Sequence, residues 1–229
     1  MKVIRLDKTG KQFEDKFIYG DRIIFKEAHP KIKDVLKGTA VKWWIGTDAL
    51  TLVKYPPGSF IWHIRILLRR IYYKLIHKYI DHWIVAEHLG GYLYKFGIHD
   101  CCLVIDPPIY KKIRKRKHRD INILYYYPKC TKNRKFKEWV YGYDIFKKVE
   151  SFFEGFVNFI VVDGSQNMNM IYSIIDGYIR PNRHDGWSRM LDECEINKIP
   201  YYFDGNFNPT VDGVIEFVQK IIKKRCASD

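Results

Sequence analysis

The stretch DGYIRPNRHDGWSRMLDECEINKIPYYF (residues 176–203) decides how this chain is read. Residues 177–180 have the composition of a short strand, Asp185-Gly186 marks a tight turn, and a helix begins at about Ser188. A second strand is expected at 200–203. Ser188 suits the N-cap position, because a hydroxyl there accepts a bond from one of the first unpaired amides of the helix. A loop that feeds a helix start presents free N–H groups and the positive end of a dipole, a setting that favours phosphate. Asp185 precedes this helix and Glu193 lies in its second turn, so both are expected to face one mouth, where carboxylates accept bonds from sugar hydroxyls. Strand, turn, helix and strand together make half of a nucleotide-binding α/β unit. A plain surface turn leading into an amphipathic helix is the simpler alternative.

This series resembles the donor-binding motif of GT-B glycosyltransferases, in which an acidic residue, Gly, an aromatic and a small residue lead into a helix carrying a second acidic residue. The family usually has Glu at both acidic places; here Asp185 takes the first and Glu193 the second. The resemblance implies two facing Rossmann-like domains in a minimal α/β form. It also implies a nucleotide-diphosphate sugar as co-substrate, with no further cofactor and no metal. Carried over residue by residue, Asp185 would touch the transferred sugar and Glu193 the ribose, while Gly186, Ser188 and Arg183 would sit beside the phosphates.

Composition sets outer bounds. The chain has 229 residues, 47% of them hydrophobic and 16% aromatic, enough for one large or two small domains. A formal net charge of +14 points to an anionic partner: a nucleotide, lipid or nucleic acid. Five cysteines show neither zinc-type spacing nor a paired framework, so they are read as reduced thiols of a cytoplasmic protein. The first ten residues hold no signal-peptide core and no run approaches a membrane span, which leaves a soluble or peripheral protein.

In the N-terminal half (1–110), strands are expected at 1–6, 22–25, 40–45, 81–86 and 101–105, the last ending at Asp106-Pro107-Pro108. The strand AVKWWI (40–45) ends in Gly46-Thr47-Asp48, similar to a turn that faces the cleft in GT-B enzymes. Asp48 is therefore a candidate catalytic base or acceptor contact, or else the cap of the following helix or turn. The order of elements over 81–110 resembles the last β-α-β unit of a GT-B N-terminal domain, which makes Glu87 and His88, at a helix start, candidates for the acceptor side. After Pro56-Pro57-Gly58, Ser59 is placed to cap a long helix. There Ile64, Leu68, Ile71 and Leu75 form one stripe and Arg70, Lys74 and Lys78 another. Such a helix over 60–79 either packs its stripe on the core or lies on an anionic membrane.

The run KKIRKRKHR (111–119) reads as an exposed basic linker and domain boundary, with lipid or nucleic-acid phosphates as further partners that charge alone does not choose between. The C-terminal half (120–229) is expected to open with a strand over 121–127, a basic loop, and one helix over 137–153. Lys129 and Lys135 fall where GT-B enzymes hold the donor diphosphate, although the family's Gly-Arg…Lys-Gly pattern is absent. A further strand (156–162), a short helix (167–175) and a closing helix (211–224) complete it.

No Asp-x-Asp, Walker loop, G-x-G-x-x-G, nucleophile elbow or His-Glu-x-x-His occurs, so the metal-dependent GT-A transferases and several other enzyme classes lack their usual markers. The remaining rival is a basic nucleic-acid-binding protein, or a glycosyltransferase acting on a modified nucleic-acid base. The departures from the family are size, with about 110 residues per half, and a missing Gly-rich turn after the first strand. The donor sugar, acceptor, stereochemistry and oligomeric state are not written in the sequence.

Overall fold

Short runs rich in Val, Ile and aromatic residues pair into two separate sheets, each built mainly of parallel strands joined by helical crossovers. The computed structural model describes residues 2–5, 16–26, 28–105, 112–129, 134–186 and 188–227. It divides into two units, Met1–Pro108 and Ile109–Asp229.

The first unit runs β1 (Lys2–Arg5), β2 (Lys16–Tyr19), β3 (Arg22–Phe25), α1 (Ile32–Leu36), β4 (Ala40–Trp44), α2 (Thr47–Val53), α3 (Phe60–Ile76), β5 (Asp81–Ile84), α4 (Glu87–Phe96) and β6 (Cys102–Ile105). Its sheet has the order β1-β6-β5-β4-β3-β2. All neighbours are parallel except β2, which pairs antiparallel with β3 across a turn holding Gly20 at φ 60. Strand β2 was not expected from the sequence; KFIY is too short to show a period. One face of the sheet packs on the helices through a cluster that includes Phe25, Trp44, Leu52, Tyr73, Leu89 and Leu93. On the other face Phe17, Val41, Trp43 and Trp83 form a second cluster, in which the Trp43 ring meets those of Phe17 and Trp83 edge-on. Helix α4 ends at Gly97, which takes φ 97, and the Ile98 amide donates back to the Leu93 carbonyl.

Helix α3 is capped by Ser59, whose Oγ accepts from the Trp62 amide at 3.2 Å. The core-packed reading of its stripe is overturned: Ile64, Leu68, Ile71 and Leu75 are all exposed. The helix is held instead by Ile66, Tyr73 and Ile76, which are buried, and by arginines turned inward. Arg70 donates to the backbone carbonyls of Thr51 (2.9 Å) and Lys54 (2.8 Å), and Arg69 to the Thr51 hydroxyl (3.2 Å). These bonds satisfy carbonyls at the end of α2 that the helix leaves open.

The second unit runs β7 (Asn122–Tyr126), α5 (Arg134–Val140), α6 (Tyr143–Phe152), β8 (Asn158–Val162), α7 (Met168–Ile174), β9 (Gly177–Arg180), α8 (Arg189–Ile196), β10 (Tyr201–Phe203) and α9 (Val211–Cys226). Four parallel strands in the order β10-β9-β7-β8 carry α6 and α9 on one face and α7 and α8 on the other. The single helix expected over 137–153 is two helices. Gly142, at φ 62, breaks them, and a side chain there would overlap the Pro181 carbonyl oxygen.

The basic run is a strap on this unit; its first residue, Lys111, lies outside the described residues. Ile113 packs into the α7/α8 cluster, the Ile113 amide donates to Asn197 Oδ1 (2.7 Å), and the Arg116 amide donates to the Ser173 carbonyl (2.8 Å). Lys115 Nζ donates to the Ile175 carbonyl at 2.6 Å, and burial pulls its pKa down. The expected ends of the preceding strand at 106–108, Lys132 of the basic loop, Cys130 and the motif aromatic Trp187 also lie outside the described residues.

Candidate functional site

The sheet of the second unit reverses its winding at β7. The chain leaves β7 for β8 on one side, then returns past β7 to β9 and β10 on the other. In parallel α/β sheets ligands gather at the carboxyl ends of the strands flanking such a reversal. Here those ends are Tyr127-Pro128-Lys129 after β7 and residues 181–188 after β9. The Arg183 amide donates to the Val140 carbonyl at 2.9 Å, which ties the β9 loop to α5.

Asp185 is a held carboxylate. Its Oδ2 accepts from Arg180 Nε at 2.6 Å and pairs with the second arm of that guanidinium, while Oδ1 accepts from the Gly186 amide at 2.9 Å. Arg180 is buried and also donates to the Tyr178 hydroxyl at 2.7 Å. Burial pushes the Tyr178 phenol up to about 12 against the pull of this arginine. Burial also raises Tyr126 and Tyr141, which feel both Arg180 and Asp185. The result is a low-dielectric nest of three tyrosines around one ion pair.

Glu193 projects from the second turn of α8, and its Oε2 accepts from the Tyr172 hydroxyl of α7 at 2.6 Å. The Tyr172 phenol is raised, first by burial and then by this bond. Asp185, Gly186, Ser188 and Glu193 thus lie on one loop-helix segment, with β9 feeding it. The expected Ser188 cap is not made. Ser188 stands at the N-cap position in an extended conformation, but its hydroxyl donates to and accepts from nothing among the described residues. The Asn182 side-chain nitrogen is also buried without a partner there. Two such polar atoms in the loop between β9 and α8 are unusual, since buried polar groups nearly always find partners.

Arg183 is committed elsewhere. Its fork grips both oxygens of Asp144 at the start of α6, at 2.6 Å each, and holds that carboxyl below its ordinary range. Lys129 is exposed at the exit of β7, near Asp163, and Lys135 is exposed in the first turn of α5.

In the first unit, Asp48 closes its own turn. Its Oδ1 accepts from the amides of Ile45, Gly46 and Ala49 at 3.1, 3.1 and 2.9 Å, and its Oδ2 pairs with Lys42 at 2.9 Å. Lys42 is fully buried and also donates to the Lys26 carbonyl. Gly46, at φ 148 and ψ −101, adopts a backbone open essentially to glycine alone. Glu87 and His88 are exposed in the first turn of α4, and His88 meets Tyr92 edge-on. The loops after β4 and β5 share one end of the parallel sheet, so these residues and Asp48 belong to the same rim.

Sequence reasoning missed Arg180, Tyr172 and Tyr178. Arg180 stood in the quoted stretch, and its place at a strand end five residues before an acid was the available signal.

No protein-family model and no curated protein matches the chain. Among solved structures, TarM matches with a TM-score of 0.52 at 10% identity, over 81% of this chain and 43% of TarM. TarM is a GT-B glycosyltransferase. The chain has a glycosyltransferase-like fold. The likeness lies in the path of the backbone, not in the motif, and the chain spans less than half of TarM's length. Among the described residues no helix is long and apolar enough to cross a membrane.

Proposed function

We propose that this chain transfers a sugar from a nucleotide-diphosphate donor to an acceptor hydroxyl, without a metal ion. One observation carries the reading: the series Asp185, Gly186, Ser188 and Glu193 sits on the loop and helix that leave β9, beside the reversal point of a parallel sheet. In this reading the diphosphate lies at the start of α8, where the positive end of the helix dipole offsets its charge, with Lys129 and Lys135 as the nearby cations. Glu193 accepts from a ribose hydroxyl, with Tyr172 holding its other side. Asp185, fixed by Arg180, meets the sugar. Arg183 acts through the loop it anchors. On the acceptor side Glu87 and His88 are the exposed groups, whereas Asp48 spends its oxygens on the turn and on Lys42.

A second reading has its own observation. The strap and α7 line a surface depression of about 810 Å³ whose wall includes Arg114, Lys115, Arg116 and Lys117. Such a lining fits a polyanion, and nucleic acid is the alternative ligand.

Calorimetry with UDP, GDP, ADP and their sugar conjugates tests the two together, with a short DNA duplex as a further titrant. One nucleotide diphosphate is expected to bind saturably. Glu193→Gln, which leaves Tyr172 an acceptor, is expected to weaken that binding by about 1.5–3 kcal/mol, roughly 10- to 150-fold. Silence from every nucleotide, or a variant that binds as the parent does, removes the transferase reading. Salt-sensitive DNA binding alone would leave the second.

A further inference from the structure

Helix α3 faces solvent with its most apolar side. Ile61, Ile64, Leu67, Leu68, Ile71 and Leu75 are between 41% and 69% exposed, and Phe60 begins the row at 79%. At 100° per residue these side chains fill an arc of about 120° with no polar residue inside it. Arg65 and Lys74 border the arc on its two sides, Arg65 exposed and Lys74 with its ammonium donating to the Phe96 carbonyl at 2.6 Å. The inward face carries Arg69 and Arg70, already bonded to α2, so the helix cannot turn its aliphatic row to the core without breaking those bonds. A row this long, roughly 25 Å for seventeen residues, exceeds what an isolated soluble domain ordinarily leaves wet.

The surrounding charge selects the occupant. No Asp or Glu occurs between Asp48 and Asp81, while Lys54, Arg65, Arg69, Arg70, Lys74 and Lys78 all fall there. A second copy docking row to row would bring these cations together with no acid from the same segment to offset them. A bilayer with anionic headgroups supplies an apolar layer for the row and phosphates at the height where Arg65 emerges. We propose that α3 is an interfacial helix by which the first unit rests on an anionic lipid surface. This inference is independent of the sugar-transfer reading.

Flotation of the full chain with vesicles tests it, comparing neutral phosphatidylcholine with phosphatidylcholine containing phosphatidylglycerol. The parent is expected to float with the anionic vesicles about tenfold more strongly than with neutral ones. Leu68→Ser together with Ile71→Ser, at positions outside the core, is expected to lower binding by at least about tenfold with the circular dichroism unchanged. Leu75→Trp gives a second readout, an emission blue shift on anionic vesicles. Absence of parental binding overturns the proposal. So does binding that the serine variant leaves intact, which would assign attachment to the basic strap, and so does an unshifted Leu75→Trp emission. Self-association that depends on the row, without flotation, would make the face a protein interface instead.

Discussion

An ammonium group at Lys42 lies wholly inside the first unit, accompanied by the Asp48 carboxylate, a backbone carbonyl and the face of Trp44. Breaking one side of such a pair strands the other, whereas replacing both need cost little. Asp48→Ala is therefore expected to lose about 3–5 kcal/mol of stability in urea titrations, and Lys42→Met in the same chain to restore most of it. If Asp48→Ala alone unfolds the protein no more easily than the parent, the pair is not structural. The same logic warns against reading activity loss at Asp48 as loss of a base. In the sequence, Gly-Thr-Asp at a strand end served either role equally. The deciding partner, Lys42, sits in an apolar strand where nothing local announces a buried charge. The motif residues show the opposite case: the Asp185–Glu193 spacing was legible, but the Arg180 and Tyr172 bonds that hold their carboxylates arise only when β9, α7 and α8 converge.

Among elements, the α5–α6 break shows how one position sets the geometry around the site. Gly142 takes a left-handed backbone and lets the chain pass against Pro181, the first residue of the β9 loop. Gly142→Ala is expected to cost about 2–4 kcal/mol through strain and overlap, measured by thermal or urea unfolding. A neutral outcome would mean that the loop yields easily and that α5 does not position it. The sequence did carry a signal for this break: the buried apolar positions change phase between Phe136 and Val140 on α5 and Ile145, Phe146 and Val149 on α6. Helix α2 was left as one of two options, the helix or turn that Asp48 would cap, because the same residues also suited ligand contact. Helix α3 was found with its cap and close to its length, yet its orientation was open: a periodic stripe reports that a helix has two faces, not which one the protein covers. The parallel strands were the easiest to read, since most are compact β-branched or aromatic runs with Gly, Asp or Pro within two residues of their ends, as after β4, β6, β7, β8, β9 and β10.

At the scale of the whole molecule, each unit has its own sheet and its own buried clusters. The second unit, with apolar cores on both faces of four parallel strands, is expected to fold when expressed alone as residues 109–229, with a single cooperative urea transition and a slope of about 1–3 kcal/mol per molar. A gradual, non-cooperative loss of structure would show that it depends on the first unit. The net charge of +14 is a property of the entire surface and bears on partners, not on fold.

The aromatic residues are divided unevenly between the two sheets, and that division has an optical consequence. Among the described residues the buried indoles Trp43, Trp44 and Trp83 all belong to the first unit, together with Tyr73, whereas the second buries Tyr125, Tyr172 and Tyr178 around its strands and leaves Trp139 half-buried. Light absorbed only by tryptophan therefore interrogates mainly the first unit, while tyrosine bands in the near ultraviolet weigh towards the second. The chain carries a built-in pair of spectroscopic labels, and the melting of its two halves can be followed in one sample without attaching a dye.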